Sequence, residues 1–164
     1  AVRLAERLRP YKLRWLEECL IPEDMDGHVE LRRRLPDQTL ATGEHWYTHL
    51  PFQAAIKQRL VDILQPDINW CGGVTTCQKI VGMAEAAGVS VMLHGGARNP
   101  YGQHFSYAFA GIPWLEYFIG SRPGVPLEQA SRLPGQPIAK DGYLTPSDAP
   151  GFGLEIDEAW LEAM

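Results

Sequence analysis

Five acidic or imidazole side chains recur along the chain at intervals of about one strand and one helix. Their separations are 27, 23, 27 and 22 residues, and they are Glu17, Glu44, Asp67, His94 and Glu116. Each lies at or near the end of a short apolar run and is therefore expected at the carboxyl end of a parallel strand, where the active sites of β/α barrels lie. The spacing predicts one site that collects three or four carboxylates and one imidazole.

The residue types indicate metal-assisted proton transfer. Converging carboxylates repel one another unless a cation lies between them, and oxygen ligands suit Mg²⁺, which keeps positions open for water and substrate. Glu17 and Glu44 would come from adjacent strands and could share one ion. A carboxylate bonded to one imidazole nitrogen raises the basicity of the other, so Asp67 and His94 predict a general base. The layout favours proton abstraction next to a carboxylate, with the metal holding the enolate charge.

Each of these residues also has a plainer interpretation. A glutamate at a strand end is usually a solvated rim residue, and a single histidine such as His94 is more often a hydrogen-bonded structural residue. The regular recurrence over five successive strands is what favours a functional site.

The elements that must position these side chains alternate along the chain. Apolar runs predict strands at 13–20, 39–44, 61–67, 89–94 and 114–118. Helical spacing of apolar residues predicts helices at 24–35, 52–60, 73–87 and 103–110, with Gly88 as a C-cap. Strands that are apolar on both faces and alternate with helices are typical of a parallel α/β sheet with βαβ crossovers. We expect residues 1–119 to form this unit and the turn-rich residues 120–164 to form a C-terminal extension.

The composition excludes several classes of function. The net charge is −5 and hydrophobic residues make up 45% of the chain, which allows a real core. The densest basic run, Arg32 to Arg34, lies at a predicted helix end and does not indicate nucleic-acid binding. No run is long enough for a membrane span. Three cysteines without a paired spacing favour a reduced, cytoplasmic protein without a zinc site.

Four motifs resemble one known family. They begin at Trp15-Leu-Glu-Glu-Cys-Leu, Thr42-Gly-Glu-His, Ile63-Leu-Gln-Pro-Asp-Ile-Asn-Trp-Cys-Gly-Gly-Val-Thr and Met92-Leu-His-Gly. Together they resemble the mandelate racemase branch of the enolase superfamily, and the rhamnonate dehydratases within it. The resemblance covers nearly the whole chain. It implies the C-terminal part, about five β/α units, of an enolase-type (β/α)8 TIM barrel, with a tail that packs on a capping domain.

The resemblance implies a role for each of the five residues. Glu17 and Glu44 match Mg²⁺ ligands, and Asp67 and His94 match the dyad in which the histidine is the base. Glu116 matches the acidic residue that hydrogen-bonds the substrate carboxylate or enolate. The implied reaction is that of a hydro-lyase: removal of the α-proton of a sugar acid such as L-rhamnonate and loss of the β-hydroxyl, giving a 2-keto-3-deoxy acid.

Several parts of that family's pattern have no counterpart in this sequence. A third metal ligand, a lysine acid/base strand and the capping domain would precede Ala1, which lies inside an apparent helix, so we expect the chain to be part of a longer protein. A racemase or epimerase of the same superfamily and an inactive truncated fragment therefore remain alternatives. Members of the family form homo-oligomers and bind small sugar acids, and the resemblance implies the same here.

Overall fold

The computed structural model describes residues 1–129 and 133–162, with the side chain of residue 160 excepted. Two short 3₁₀ turns occur among them, at Arg9–Tyr11 and Leu127–Gln129. The α-helices are α1 (Val2–Leu8), α2 (Met25–Arg34), α3 (Leu50–Gln58), α4 (Gly73–Ala87), α5 (Pro100–Ala108) and α6 (Glu158–Glu162). The strands are β1 (Leu16–Glu17), β2 (Leu40–Thr42), β3 (Ile63–Leu64) and β4 (Ser90–Val91).

The four strands form one parallel sheet in the order of the chain, β1-β2-β3-β4. In register, Leu16 lies opposite Leu40 and Leu64 lies opposite Val91. Since a parallel neighbour can be reached only by a crossover connection, the helices α2, α3 and α4 join the successive strands. All four strands therefore end at the same edge of the sheet, as the sequence predicts for an α/β fold.

The core lies between the sheet and these helices. Helix α4 buries Cys77, Ile80, Val81 and Ala84 at helical spacing. Gly88, with φ of +68°, ends this helix in the left-handed conformation expected of a C-cap. The predicted span of α4 is confirmed in full, because its apolar spacing and its terminating glycine agree.

A network around Arg32 joins helix α2 to the beginnings of two strands. Its guanidinium donates to the carbonyl of Leu60 at 3.2 Å and to that of Gln38 at 3.0 Å, and it pairs with Asp62 at 2.6 Å. The Asp62 carboxylate also accepts from the Leu40 amide at 2.8 Å. This network fixes the end of the sheet opposite to the strand carboxyl ends.

The predicted fifth strand at 114–118 is wrong, since this segment carries no ladder. Between it and the segment after β4 there is one backbone hydrogen bond, from the Ala97 amide to the Glu116 carbonyl at 3.1 Å. A strand needs consecutive bonds to a neighbour, and here the apolar sequence is instead partly exposed at Trp114 and Phe118. The guanidinium of Arg14, which precedes β1, lies 3.8 Å from the Trp114 ring centre, so the segment before β1 contacts the segment that follows β4.

The C-terminal extension packs against the segment that follows β4. The Gln136 side chain donates to the Arg98 carbonyl at 2.8 Å. The Phe152 ring packs edge-on against Tyr101 and His104 of α5, with ring centres 6.1 and 5.7 Å apart. In residues 1–129 and 133–162, no helix combines the length and the apolar character needed to cross a bilayer. The boundary between residues 119 and 120 stays a prediction.

Candidate active site

The turn after β2 carries Glu44 into the centre of the site. Gly43 has φ of +132°, and a Cβ added to it would lie 2.8 Å from the Phe52 ring, so only glycine fits this close approach. The two oxygens of Glu44 then face two different imidazoles. Oε1 lies 3.2 Å from His45 Nδ1, and Oε2 lies 3.2 Å from His94 Nε2.

The protonation of Glu44 is set by opposing influences. Burial raises the pKa of its carboxyl group above the usual value, the nearby His94 and His45 lower it, and the like charges of Glu18 and Glu17 add to the increase. The net shift is upward. Burial is therefore the main influence on this carboxyl group.

Glu17 lies at the end of β1, on the exposed rim of the site. Its Oε2 atom accepts hydrogen bonds from Trp15 Nε1 and Gln65 Nε2, both at 2.9 Å. Gln65 follows β3, so these contacts hold Glu17 across the strand ends. The charge of Glu17 also makes a small contribution to the raised pKa of Glu44.

Glu18 supports the loop that carries Glu44. It adopts φ of +46°, which breaks the alternation expected of a strand, and it accepts from Thr42 Oγ1 at 2.6 Å. It also accepts from the Gly43 amide at 3.3 Å and lies 3.2 Å from His45 Nδ1. Glu18 thus binds the turn between β2 and His45 while Glu17 binds other partners.

Asp67 and His94 form the predicted pair. Nδ1 of His94 lies 2.8 Å from Oδ2 of Asp67, and the aspartate is buried. Burial alone would lower the pKa of the His94 imidazole. The hydrogen bond to Asp67 and the charges of Glu44, Glu116 and Asp67 together outweigh burial, so the pKa is raised.

Glu116 lies beside this pair although its segment is not a strand. Its Oε2 atom accepts from the Gly95 amide at 2.9 Å. Gly95 follows His94 directly, so the Glu116 carboxylate is fixed next to the loop that carries the imidazole. The five residues predicted from the sequence are thus brought to one edge of the sheet.

Three neighbours of the pair have roles that the sequence did not predict in this form. The Trp70 ring lies 5.3 Å from that of His45 and 6.0 Å from that of His94, and it is 42% exposed. Asn69 donates two hydrogen bonds to Asp67 and accepts one from Tyr101. None of the three is among the five residues predicted from the sequence, and Asn69 gives no signal beyond its position two residues after Asp67.

The carboxylate oxygens of Glu17 and Glu44 are of the type that binds a hard cation. Both Glu44 oxygens face imidazole nitrogens. Over the described part of the chain, no group of three or more histidine, cysteine, aspartate or glutamate side chains is arranged to hold a metal ion. The donor set fits Mg²⁺ in chemistry, and Glu17 and Glu44 could offer two of the ligands that such an ion needs.

Comparisons with known proteins give the family of the chain. The sequence profile of the family described as "Enolase C-terminal domain-like" matches residues 1–160. The chain is 38% identical over 161 residues to an L-rhamnonate dehydratase of Saccharopolyspora erythraea, a match that covers 96% of this chain and 40% of that protein.

Two solved structures show the same fold. Rhamnonate dehydratase from Gibberella zeae, complexed with Mg, is 36% identical with a TM-score of 0.87, over 98% of this chain and 40% of that one. L-talarate dehydratase from Polaromonas sp. JS666, complexed with Mg and L-glucarate, is 27% identical with a TM-score of 0.76, over 98% of this chain and 42% of that one. The chain thus spans about two fifths of the length of the proteins it matches.

Proposed function

The chain belongs to the enolase C-terminal domain-like family, and from this premise we propose that it supplies the general base of an Mg²⁺-dependent acid-sugar dehydratase. The observation that carries the proposal is the contact between His94 Nδ1 and Asp67 Oδ2 at 2.8 Å. An ionised carboxylate only accepts hydrogen bonds, so Nδ1 must donate. Nε2, on the opposite side of the ring, is then the atom that accepts a proton in the reaction.

The proposed reaction removes one molecule of water from a sugar acid. His94 Nε2 takes the proton from the carbon next to the substrate carboxylate, and the hydroxyl group on the following carbon leaves with a proton returned by the same imidazole. The enol product then rearranges to a 2-keto-3-deoxy acid. Glu116, held by the Gly95 amide beside His94, would hydrogen-bond the substrate carboxylate or the enol oxygen.

Glu17 and Glu44 would hold the Mg²⁺ ion. When bound, such an ion stabilises the negative charge that develops on the substrate carboxylate as the α-proton leaves. The two glutamates offer carboxylate oxygens at the ends of adjacent strands, and relatives of similar fold are complexed with Mg. L-rhamnonate is the substrate suggested first by the relatives. We further propose that the complete protein is a cytoplasmic homo-oligomer. We also propose that the 164 residues alone show little turnover, because a four-stranded sheet offers only part of a barrel mouth.

The test is a panel of acid sugars offered to the complete barrel protein with Mg²⁺ present. Release of a 2-keto-3-deoxy acid supports the dehydratase, and formation of an epimer without loss of water would show the alternative reaction of the same superfamily. His94→Asn should abolish turnover, because the amide cannot accept the proton. His49→Asn, the same change at the start of α3, is the matched control and should leave turnover intact. Turnover that survives His94→Asn would sink the assignment of the base.

A further inference from the structure

The Asp67 carboxylate is held by more than its histidine. Oδ2 faces His94, whereas Oδ1 accepts two hydrogen bonds from Asn69, one from its backbone amide at 2.7 Å and one from its side-chain Nδ2 at 3.0 Å. The two oxygens therefore have separate tasks. Rotation of the carboxylate would break both bonds to Asn69 at once, so Oδ2 stays directed at the imidazole.

The orientation of the Asn69 amide is set by Tyr101. The Tyr101 hydroxyl donates to Asn69 Oδ1, which places the carbonyl oxygen of the amide toward the tyrosine. The NH₂ group must then face Asp67, where it donates. Without the hydroxyl, a rotated Asn69 would present its oxygen to the carboxylate, and two acceptors would face each other.

Tyr101 is itself fixed from two sides. It lies in the first turn of α5, whose N-cap Asn99 accepts from the Gly102 amide. Its ring packs edge-on against Phe152 of the C-terminal extension, with ring centres 6.1 Å apart. Both contacts restrict the position of the hydroxyl that reaches Asn69.

We infer that Asn69 and Tyr101 are positioning residues of the proton-transfer site, which act through Asp67 to keep the Nδ1 proton of His94 on the Asp67 side of the ring and Nε2 directed away from Asp67. The inference rests on the proposed function for its catalytic consequence. Its structural part, the restraint on the imidazole, stands on the hydrogen bonds alone. A plainer role for Asn69, closure of the turn after Asp67, needs only its backbone amide and not its side chain.

The direct test is ¹⁵N and ¹H NMR of the histidine rings in the 164-residue chain. The Nδ1 proton of His94 should exchange slowly with water. Tyr101→Phe keeps the ring and removes only the hydroxyl. The loss of one hydrogen bond of this kind should make exchange of the His94 Nδ1 proton roughly fivefold faster. Asn69→Ala removes the side-chain donor and should accelerate exchange by more than about tenfold. Tyr107→Phe, the same change on the exposed face of the same helix, is the matched control and should have no effect.

Steady-state kinetics of the complete protein separate positioning from mere stability. Tyr101→Phe and Asn69→Ala should lower kcat by factors similar to the changes in exchange and leave KM unchanged, because the reacting group is misaligned and not the substrate pocket. The inference is overturned if the wild-type Nδ1 proton is unprotected, if neither variant changes its exchange, or if the variants alter only thermal stability. Failure of the proposed function has a different signature, since His94→Asn would then retain turnover whatever the NMR result.

Discussion

Nε2 of His94 lies 3.2 Å from Oε2 of Glu44. Because Nδ1 of the same ring bonds Asp67, the imidazole joins two carboxylates, and the doubly protonated ring is favoured, in line with its raised pKa. A Glu44 oxygen that faces Nε2 cannot be fully directed at a cation. Binding of Mg²⁺ at Glu44 is therefore expected to weaken this contact and to release Nε2 toward the substrate.

Glu44→Gln is predicted to weaken Mg²⁺ binding by more than about tenfold, because an amide oxygen carries no net charge for a hard cation. Isothermal titration calorimetry of the complete protein measures the affinity. Glu30→Gln changes a surface glutamate that pairs with Arg33 on α2 and should bind Mg²⁺ as the wild type does. Equal affinities for the two variants would contradict the placement of the metal at Glu44.

Asp67→Asn is predicted to lower kcat by roughly 10³-fold or more with KM little changed. Asn69 donates two hydrogen bonds on the Oδ1 side, so the new carbonyl oxygen must occupy that side. The new NH₂ group then faces His94 Nδ1 and forces the ring proton to Nε2, where a base is needed.

Initial-rate kinetics of the complete protein test this reversal of the tautomer. Asp37→Asn, the same change at an exposed position in the loop after α2, should retain wild-type kcat. A variant at Asp67 with a raised KM and normal kcat would place the aspartate in substrate binding and not in orientation of the imidazole.

Gly43→Ala and Gly82→Ala are predicted to change stability in opposite directions. At Gly43 the new methyl group would lie 2.8 Å from the Phe52 ring and 3.2 Å from the Gln65 amide, at φ of +132°, which should cost more than about 2 kcal/mol. At Gly82, inside α4 with nothing within 4 Å, the change should stabilise by about 0.5–1 kcal/mol. Urea unfolding followed by circular dichroism measures both, and a tolerated alanine at residue 43 would refute the close approach.

His28 is predicted to make the fold less stable in mild acid. Burial lowers the pKa of its imidazole, against the raising influence of Asp24, Glu18 and the hydrogen bond to the Ile21 backbone. The folded protein therefore favours the neutral ring, and its contribution is complete above the unfolded-state pKa of about 6.5. As pH falls through that value toward the folded-state pKa, the unfolded chain takes up the proton first and stability decreases.

The measurement is the free energy of unfolding of wild type and His28→Phe between pH 8 and pH 5, a window of about three units around the value for a free histidine. Phenylalanine keeps an aromatic edge against Trp46, whose ring centre lies 5.8 Å from that of His28. As pH falls, the free energy of unfolding of the wild type should decrease by up to about 1.4 kcal/mol more per pH unit than that of the variant, which is the limit for uptake of one proton. Parallel curves would show that His28 does not titrate on unfolding.

The helices and the location of the site were predictable because their signals are local. The apolar spacing of α4 and the glycine after it determine that helix in full. Helix α5 begins three residues earlier than predicted, since Asn99 caps it and Pro100 occupies its first turn. Glu17, Glu44, Asp67 and His94 could be predicted to lie at one edge of the sheet because parallel strands end there.

What could not be predicted depends on contacts distant in the sequence. A ladder at 114–118 requires a neighbouring strand on which its bonds can form, and apolar character alone does not supply one. The contact of Glu44 with His94 joins two side chains that are 50 residues apart in the sequence, and no local pattern indicates it. Likewise, no pattern around Asn69 reveals that a tyrosine on another element would set the direction of its amide.

The edge-on packing of Phe152 against Tyr101 bears on which parts of the chain can be exchanged by recombination. The groups on the Nδ1 side of the imidazole, from Asp67 to Phe152, lie within one continuous stretch of chain. A recombination event that exchanged this stretch between relatives would carry the base with all of its supports. Selection could then alter the rest of the barrel without rebuilding the Asp67–His94 pair.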